Sequence, residues 1–178
     1  HWSGERVQSV WSSPMTRAVY GARCVADAVG VDGFATRESF REIARGSWVR
    51  KTPEEIEAAT PGGMATFLSD PTYRPPGGAE SIDDVRARAL ATLTDEVLPS
   101  IAPGRAAVLV SHLYVTRAIL SSAMGPTVPI PSIDVPTASI SALVFDETDR
   151  PVVVLQGVKP DLSPEDDARL AAGDAESS

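Results

Sequence analysis

The chain has 178 residues, enough for one domain with a sizeable core. Its 43% apolar and 22% charged content is that of a globular protein, and no apolar run approaches the roughly 20 residues needed to span a bilayer. The net charge is −8, but residues 160–178 carry six acids against Arg169 and hold −5 of it. No basic stripe suited to nucleic acid exists, and the small, polar, acidic tail 159–178 is expected to fray. The start, His-Trp-Ser-Gly-Glu-Arg, has no secretory apolar run and no initiator Met, so it reads as a processed, trimmed or partial chain. The single cysteine, Cys24, permits no internal disulfide and fits a reducing compartment, with the cytoplasm as the expected location. Cys24 falls within an apolar helical pattern and reads as core filler.

The elements alternate. Val7–Trp11 is a strand that ends at Ser12-Ser13-Pro14, where a serine cap and a proline at the first helical position predict a helix to about Val29. Met15, Val19, Ala22, Ala26 and Val29 share its apolar face, and Gly30 ends it. Residues 37–49 are irregular. Thr52-Pro53-Glu54-Glu55 starts a second helix with a capping box. Residues 70–79, rich in proline and glycine, form a loop. Ser81 caps a long helix to about Leu98, with Ile82, Val85, Ala89, Leu93 and Val97 on one side. Ala106–Val110 is a buried strand and Leu113–Met124 a helix. Ser139–Phe145 and Val152–Leu155 are strands, joined by a turn at Glu147-Thr148-Asp149. The order predicts an α/β domain over residues 1–158: a mostly parallel sheet between helices, three layers in all, with an antiparallel edge strand.

Three polar groups fall at strand-to-helix junctions or helix starts, where α/β sheets bind ligands. Arg17 lies in the first turn of the first helix, where a guanidinium clamps an anion or simply faces solvent. Glu80 follows Gly77-Gly78-Ala79 at a helix start, as a general acid beside a ligand or as a capping carboxylate. His112 follows Val108-Leu109-Val110-Ser111 and opens a helix, where a histidine holds phosphate, moves protons or is a hydrogen-bonded structural group. Two histidines far apart in sequence form no metal-ligand cluster, and no Gly-x-Gly-x-x-Gly follows a strand, so no metal and no other cofactor is expected.

Taken in order, Ser12-Ser13-Pro14-Met15-Thr16-Arg17-Ala18, Gly78-Ala79-Glu80-Ser81 and Ser111-His112 resemble the histidine phosphatase superfamily, in its phosphoglycerate-mutase-like branch. Phe40-Arg41-Glu42-Ile43, Gly46-Ser47-Trp48, Pro53-Glu54-Glu55-Ile56 and Val135-Pro136-Thr137-Ala138-Ser139 are similar to further family segments. The short stretch between Trp48 and Glu80 looks more like the small phosphatases than the glycolytic mutases. The resemblance implies hydrolysis of a small phosphomonoester through a phosphohistidine. It implies that Arg17, His112 and the Leu113 N–H hold the phosphoryl oxygens, and that Glu80, with a raised pKa, serves as general acid and base. Trp48, Tyr73 and Tyr114, with Phe67, are candidates to line the substrate pocket or to pack beneath it.

Two departures stand out. Leu113-Tyr114 follows the Ser-His pair where the family usually has glycine, and Ala79 stands where it has another glycine. The nucleophile's Arg-His-Gly motif, with its strand and helix, has no match, since His1 precedes Trp2-Ser3-Gly4. The expectation is a phosphatase whose nucleophile lies in a segment outside these residues. The alternatives are a non-catalytic relative that binds a phosphorylated ligand or a protein partner, and an α/β domain of another function. Without that strand an apolar sheet edge is left open, and a chain standing alone is expected to be weakly stable or a homodimer.

Overall fold

The computed structural model describes residues 6–125, 127–145 and 151–160. His1, the turn at Glu147-Thr148-Asp149 and the tail from Asp161 onward lie outside the described residues.

Strand β1, Val7–Ser12, runs parallel to β2, Ala35–Thr36, on one side and to β3, Ala106–Val110, on the other. Successive side chains of a strand face opposite ways. Val10 therefore joins Ala22 and Ala26 in one apolar cluster, while Trp11 joins Phe40, Val85, Tyr114 and Val115 in the other. The same alternation along β3 sends Val108 and Val110 to the first cluster and Ala107 and Leu109 to the second. These two cores make the layers α/β/α. Helix α1, Thr16–Val29, covers one face, and α4, Ile82–Thr92, packs with α5, Leu113–Met124, on the other. In chain order α2, Pro53–Ala59, and α3, Gly63–Ser69, come between α1 and α4, and their Ile56 and Phe67 join the larger core.

The antiparallel element is a hairpin. Strand β4, Ile140–Phe145, pairs with β5, Pro151–Val158, as a separate two-stranded sheet rather than as an edge of the parallel one. β3, all of it apolar, is thus an edge of its sheet among the described residues, with every residue half-buried. No helix among the described residues is long and apolar enough to cross a membrane.

Helix starts follow the sequence where capping boxes exist. Thr52 and Glu55 exchange backbone bonds at α2, and Ser81 and Asp84 do so at α4. At α1 the expectation fails: Met15 is the N-cap, Pro14 lies outside the helix, and no side chain caps it. Ser13 instead accepts the Met15 N–H at 3.2 Å and turns its hydroxyl inward. Helix α1 buries Ala18, Ala22 and Ala26, a row of small residues that lets it approach the sheet. Cys24 is exposed, not core filler. It lies two residues from both Ala22 and Ala26, about 200° around the helix and so on the opposite side. The helix from Ile82 passes into a π turn over Leu93–Val97 and a 3₁₀ turn over Leu98–Ser100, keeping Leu93 and Val97 buried. Helix α3, which follows Gly62 at φ +71°, has no counterpart in the sequence reading.

Candidate active site

The ends of the parallel strands are laced together. The Ser13 N–H donates to Val110 O at 3.0 Å, and the Arg37 N–H donates to Ser12 O at 3.0 Å. The Ser111 hydroxyl donates to Phe40 O at 2.7 Å, which fixes the segment after β2 beside the start of α5. The backbone of Arg41 is extended, with φ −65° and ψ 152°, so neighbouring side chains diverge there. Glu42 turns to α5, where its Oε1 accepts the Tyr114 N–H at 3.2 Å as well as the Ile43 N–H at 2.9 Å. A carboxylate at this helix end satisfies an orphan donor and meets the positive end of the dipole.

His112 is the N-cap of α5 and is 8% exposed. Its Nε2 lies 2.8 Å from the Oγ of Ser13, a residue with no exposed surface. Burial holds its pKa below the ordinary histidine value. Arg17 adds to that shift, Glu42 opposes it, and Arg41 and Arg88 lower it further. The imidazole is therefore neutral at pH 7, and an anion arriving among these cations favours its protonation. Arg17, exposed at the second position of α1, lines an open cleft of about 780 Å³ together with Pro14, Met15, Thr16, Tyr20 and Arg41. The structure thus gathers Arg17, Arg41, Glu42 and His112 around the start of α5.

Glu80 is positioned by a clamp between two loops. Its N–H donates to Ala44 O at 2.9 Å, and its Oε2 accepts the Ala44 N–H at 2.9 Å. Ser47 binds Pro76 O through both its N–H at 2.8 Å and its hydroxyl at 3.0 Å. Gly46 makes the approach feasible: it sits at φ +53°, and a Cβ there would lie 2.3 Å from Pro76 O. The Glu80 carboxylate pairs with Arg88, whose Nε donates to Oε1 at 2.7 Å and whose Nη2 donates to Oε2 at 3.0 Å. Arg88 also donates to Ser39 O. Burial alone pushes the Glu80 pKa up, but Arg88 and the Ala44 N–H outweigh it, and the carboxyl titrates below its ordinary range. The expected raised pKa is not found. The carboxylate is held ionised by a guanidinium on the next helix.

The aromatic residues form one packed row. Trp48 lies 5.9 Å from Phe67 and 6.3 Å from Tyr73, and Phe67 lies 5.7 Å from Tyr114, centre to centre. Trp48, Phe67 and Tyr114 are buried in the larger core, with Tyr73 packed against it, and none lines the cleft beside Arg17. Leu113 also packs against that core, and its N–H occupies the first position of α5.

The sequence reading missed Ser13, Arg41, Glu42 and Arg88 as site residues. Ser13 stands in the sequence where a helix cap belongs. Arg41 and Glu42 lie in an irregular segment with no periodicity to orient them. Arg88 had a signal: it stands two turns beyond Glu80, on the helix that Glu80 precedes. Among the described residues, no three of His, Cys, Asp and Glu gather to hold a metal ion.

The fold has known relatives. The mycobacterial glucosyl-3-phosphoglycerate phosphatase, solved with inorganic phosphate, is 26% identical with a TM-score of 0.74, over 90% of this chain and 82% of that one. Bacillus stearothermophilus YhfR is 24% identical with a TM-score of 0.73, over 90% and 79%. The alpha-ribazole phosphatase of Shigella flexneri shares the fold at 15% identity with a TM-score of 0.68, over 90% and 81%. No curated protein sequence matches. Residues 1–157 match the histidine phosphatase superfamily (branch 1), and the chain belongs to that family.

Proposed function

We propose that the strand ends bind the phosphoryl group of a small phosphomonoester and that the protein hydrolyses it through a phosphohistidine. The observation that carries this reading is the joining of two strand-to-helix junctions, where Ser13 after β1 meets His112 before α5 at 2.8 Å and Arg17 follows one turn beyond Ser13. Arg17 supplies a two-pronged donor, and the Leu113 N–H a helix-end donor at the first position of α5. The Ser13 hydroxyl fixes the His112 ring at Nε2, leaving Nδ1 as the nitrogen for the ligand. The attacking imidazole belongs to an Arg-His-Gly segment that none of the 178 residues supplies. It would form an N–P bond as the ester P–O bond breaks, and water would then discharge the phosphoryl group. The leaving oxygen takes a proton from Glu80, which must first part from Arg88 and take up a proton from solvent; it recovers that proton from the attacking water in the second step. Residues 1–158 act as one domain in this reading, in the cytoplasm, with a homodimer covering the open edge if the chain stands alone.

A binding-only role is the second reading, and the Glu80–Arg88 pair favours it, because an ionised carboxylate cannot donate a proton. One experiment separates the two. The product of the complete open reading frame is assayed on an aryl phosphate without added metal. Hydrolysis is expected, with losses of at least about 100-fold in both Arg17→Ala and His112→Ala. Undiminished turnover in both variants removes the assigned roles. Absent turnover with saturable phosphate binding that Arg17→Ala abolishes establishes the binding-only role.

A further inference from the structure

We propose that Arg41 holds a second anionic group, a carboxylate or phosphate carried on the leaving group of the substrate whose phosphoryl group sits at Arg17 and His112. This deepens the phosphoryl reading above and rests on it. The arginines around the strand ends divide into two kinds. Arg37 is paired with Glu96 at 2.6 Å and lies over the Trp11 ring, Arg74 is paired with Asp84 at 2.6 Å, and Arg88 is committed to Glu80. Arg17 makes no ion pair among the described residues, and Arg41 makes only a 3.4 Å contact with Glu38, with the two side chains 49% and 77% exposed. An ion pair of that length and exposure contributes little. Those two arginines line the same cleft.

The backbone explains why Arg41 faces it. Its extended conformation and the engagement of Glu42 with the Tyr114 N–H send Glu42 toward α5 and Arg41 the other way, toward Arg17. The cleft is shallow and open to solvent, with Arg17 and Arg41 both on its walls. Its other walls, Pro14, Met15 and the exposed Tyr20, are suited to a short carbon skeleton between two charged ends.

The test is equilibrium binding by titration calorimetry on the whole chain. It compares glycerol 3-phosphate with 3-phosphoglycerate, which share a three-carbon skeleton and differ by a carboxylate. The wild type is expected to bind 3-phosphoglycerate about tenfold more tightly. Arg41→Gln is expected to bring the two affinities to near equality by weakening 3-phosphoglycerate far more than glycerol 3-phosphate, and Arg17→Ala to weaken both. Equal wild-type affinities overturn the proposal, as does an Arg41→Gln variant that loses both probes alike, which would place Arg41 on the phosphoryl group. A wild type that binds neither probe, or an Arg17→Ala variant that binds both undiminished, overturns the phosphoryl reading and this inference with it.

Discussion

Replacing Arg88 with methionine tests how Glu80 is held. The substitution keeps the aliphatic stem and removes both bonds to the Glu80 carboxylate, together with the bond to Ser39 O. Truncating one partner of a fully buried ion pair costs about 3–5 kcal/mol. The Arg88 and Glu80 side chains are 21% and 26% exposed, and water reaching Glu80 lowers the cost to about 2–3 kcal/mol. For a chain of this size that is a fall in Tm of about 4–12 °C at pH 7. The loss depends on pH. In the wild type the depressed Glu80 pKa contributes stability that is present above the ordinary carboxylate value and is lost as pH falls through the lowered one. Without Arg88, burial is opposed mainly by the Ala44 N–H, and the Glu80 pKa moves up. The stability gap between wild type and variant is therefore expected to narrow on acidification from pH 7 to pH 3. Urea unfolding at a series of pH values measures it, with carbon NMR of the Glu80 carboxyl as the direct reading. A constant gap across that range, or an unmoved Glu80 titration, would refute the account of this pair.

Further outcomes follow from the same contacts. His112 is expected to titrate below the ordinary histidine value by proton NMR and to move upward in Arg17→Ala; its neutral form favours folding, so its contribution is complete above the ordinary value and fades as pH falls through the lowered one. A titration at or above the ordinary value contradicts this. Ser13→Ala leaves His112 Nε2 unpaired in a buried site and is expected to cost about 1–3 kcal/mol in urea unfolding, and an unchanged midpoint would show the contact to be idle. Gly46→Ala combines a left-handed backbone with a Cβ driven into Pro76 O, and a loss of at least about 2 kcal/mol is expected. Wild-type stability in that variant would mean the two loops are not clamped as described.

The sequence made much of the fold legible because its signals are local. The capping box at Thr52, the helix start at Ser81 and the spacing of Ile82, Val85, Ala89, Leu93 and Val97 need only neighbouring residues, and the structure carries them out. Arg17 and His112 were legible because each stands just after a strand. Contacts between distant segments were not. Glu80 stands in the sequence as a carboxylate at a helix start, but its charge is set by Arg88 and by the backbone of Ala44, 36 residues away. Ser13 sits where a cap belongs, yet its hydroxyl is drawn 99 positions along the chain to His112. Cys24 shows the limit of an apolar pattern read without phase: two residues off the alanine row, it faces outward.

Titration of nitrogen-15-labelled protein with inorganic phosphate tests the central claim most directly. The account predicts saturable shifts concentrated at the Leu113 N–H and the Arg17 side-chain Nε–H, a rise in the His112 pKa on binding, and loss of the Leu113 shift and of the His112 rise in Arg17→Ala. Shifts that do not saturate, or that centre away from the start of α5, would contradict a phosphoryl site at these strand ends.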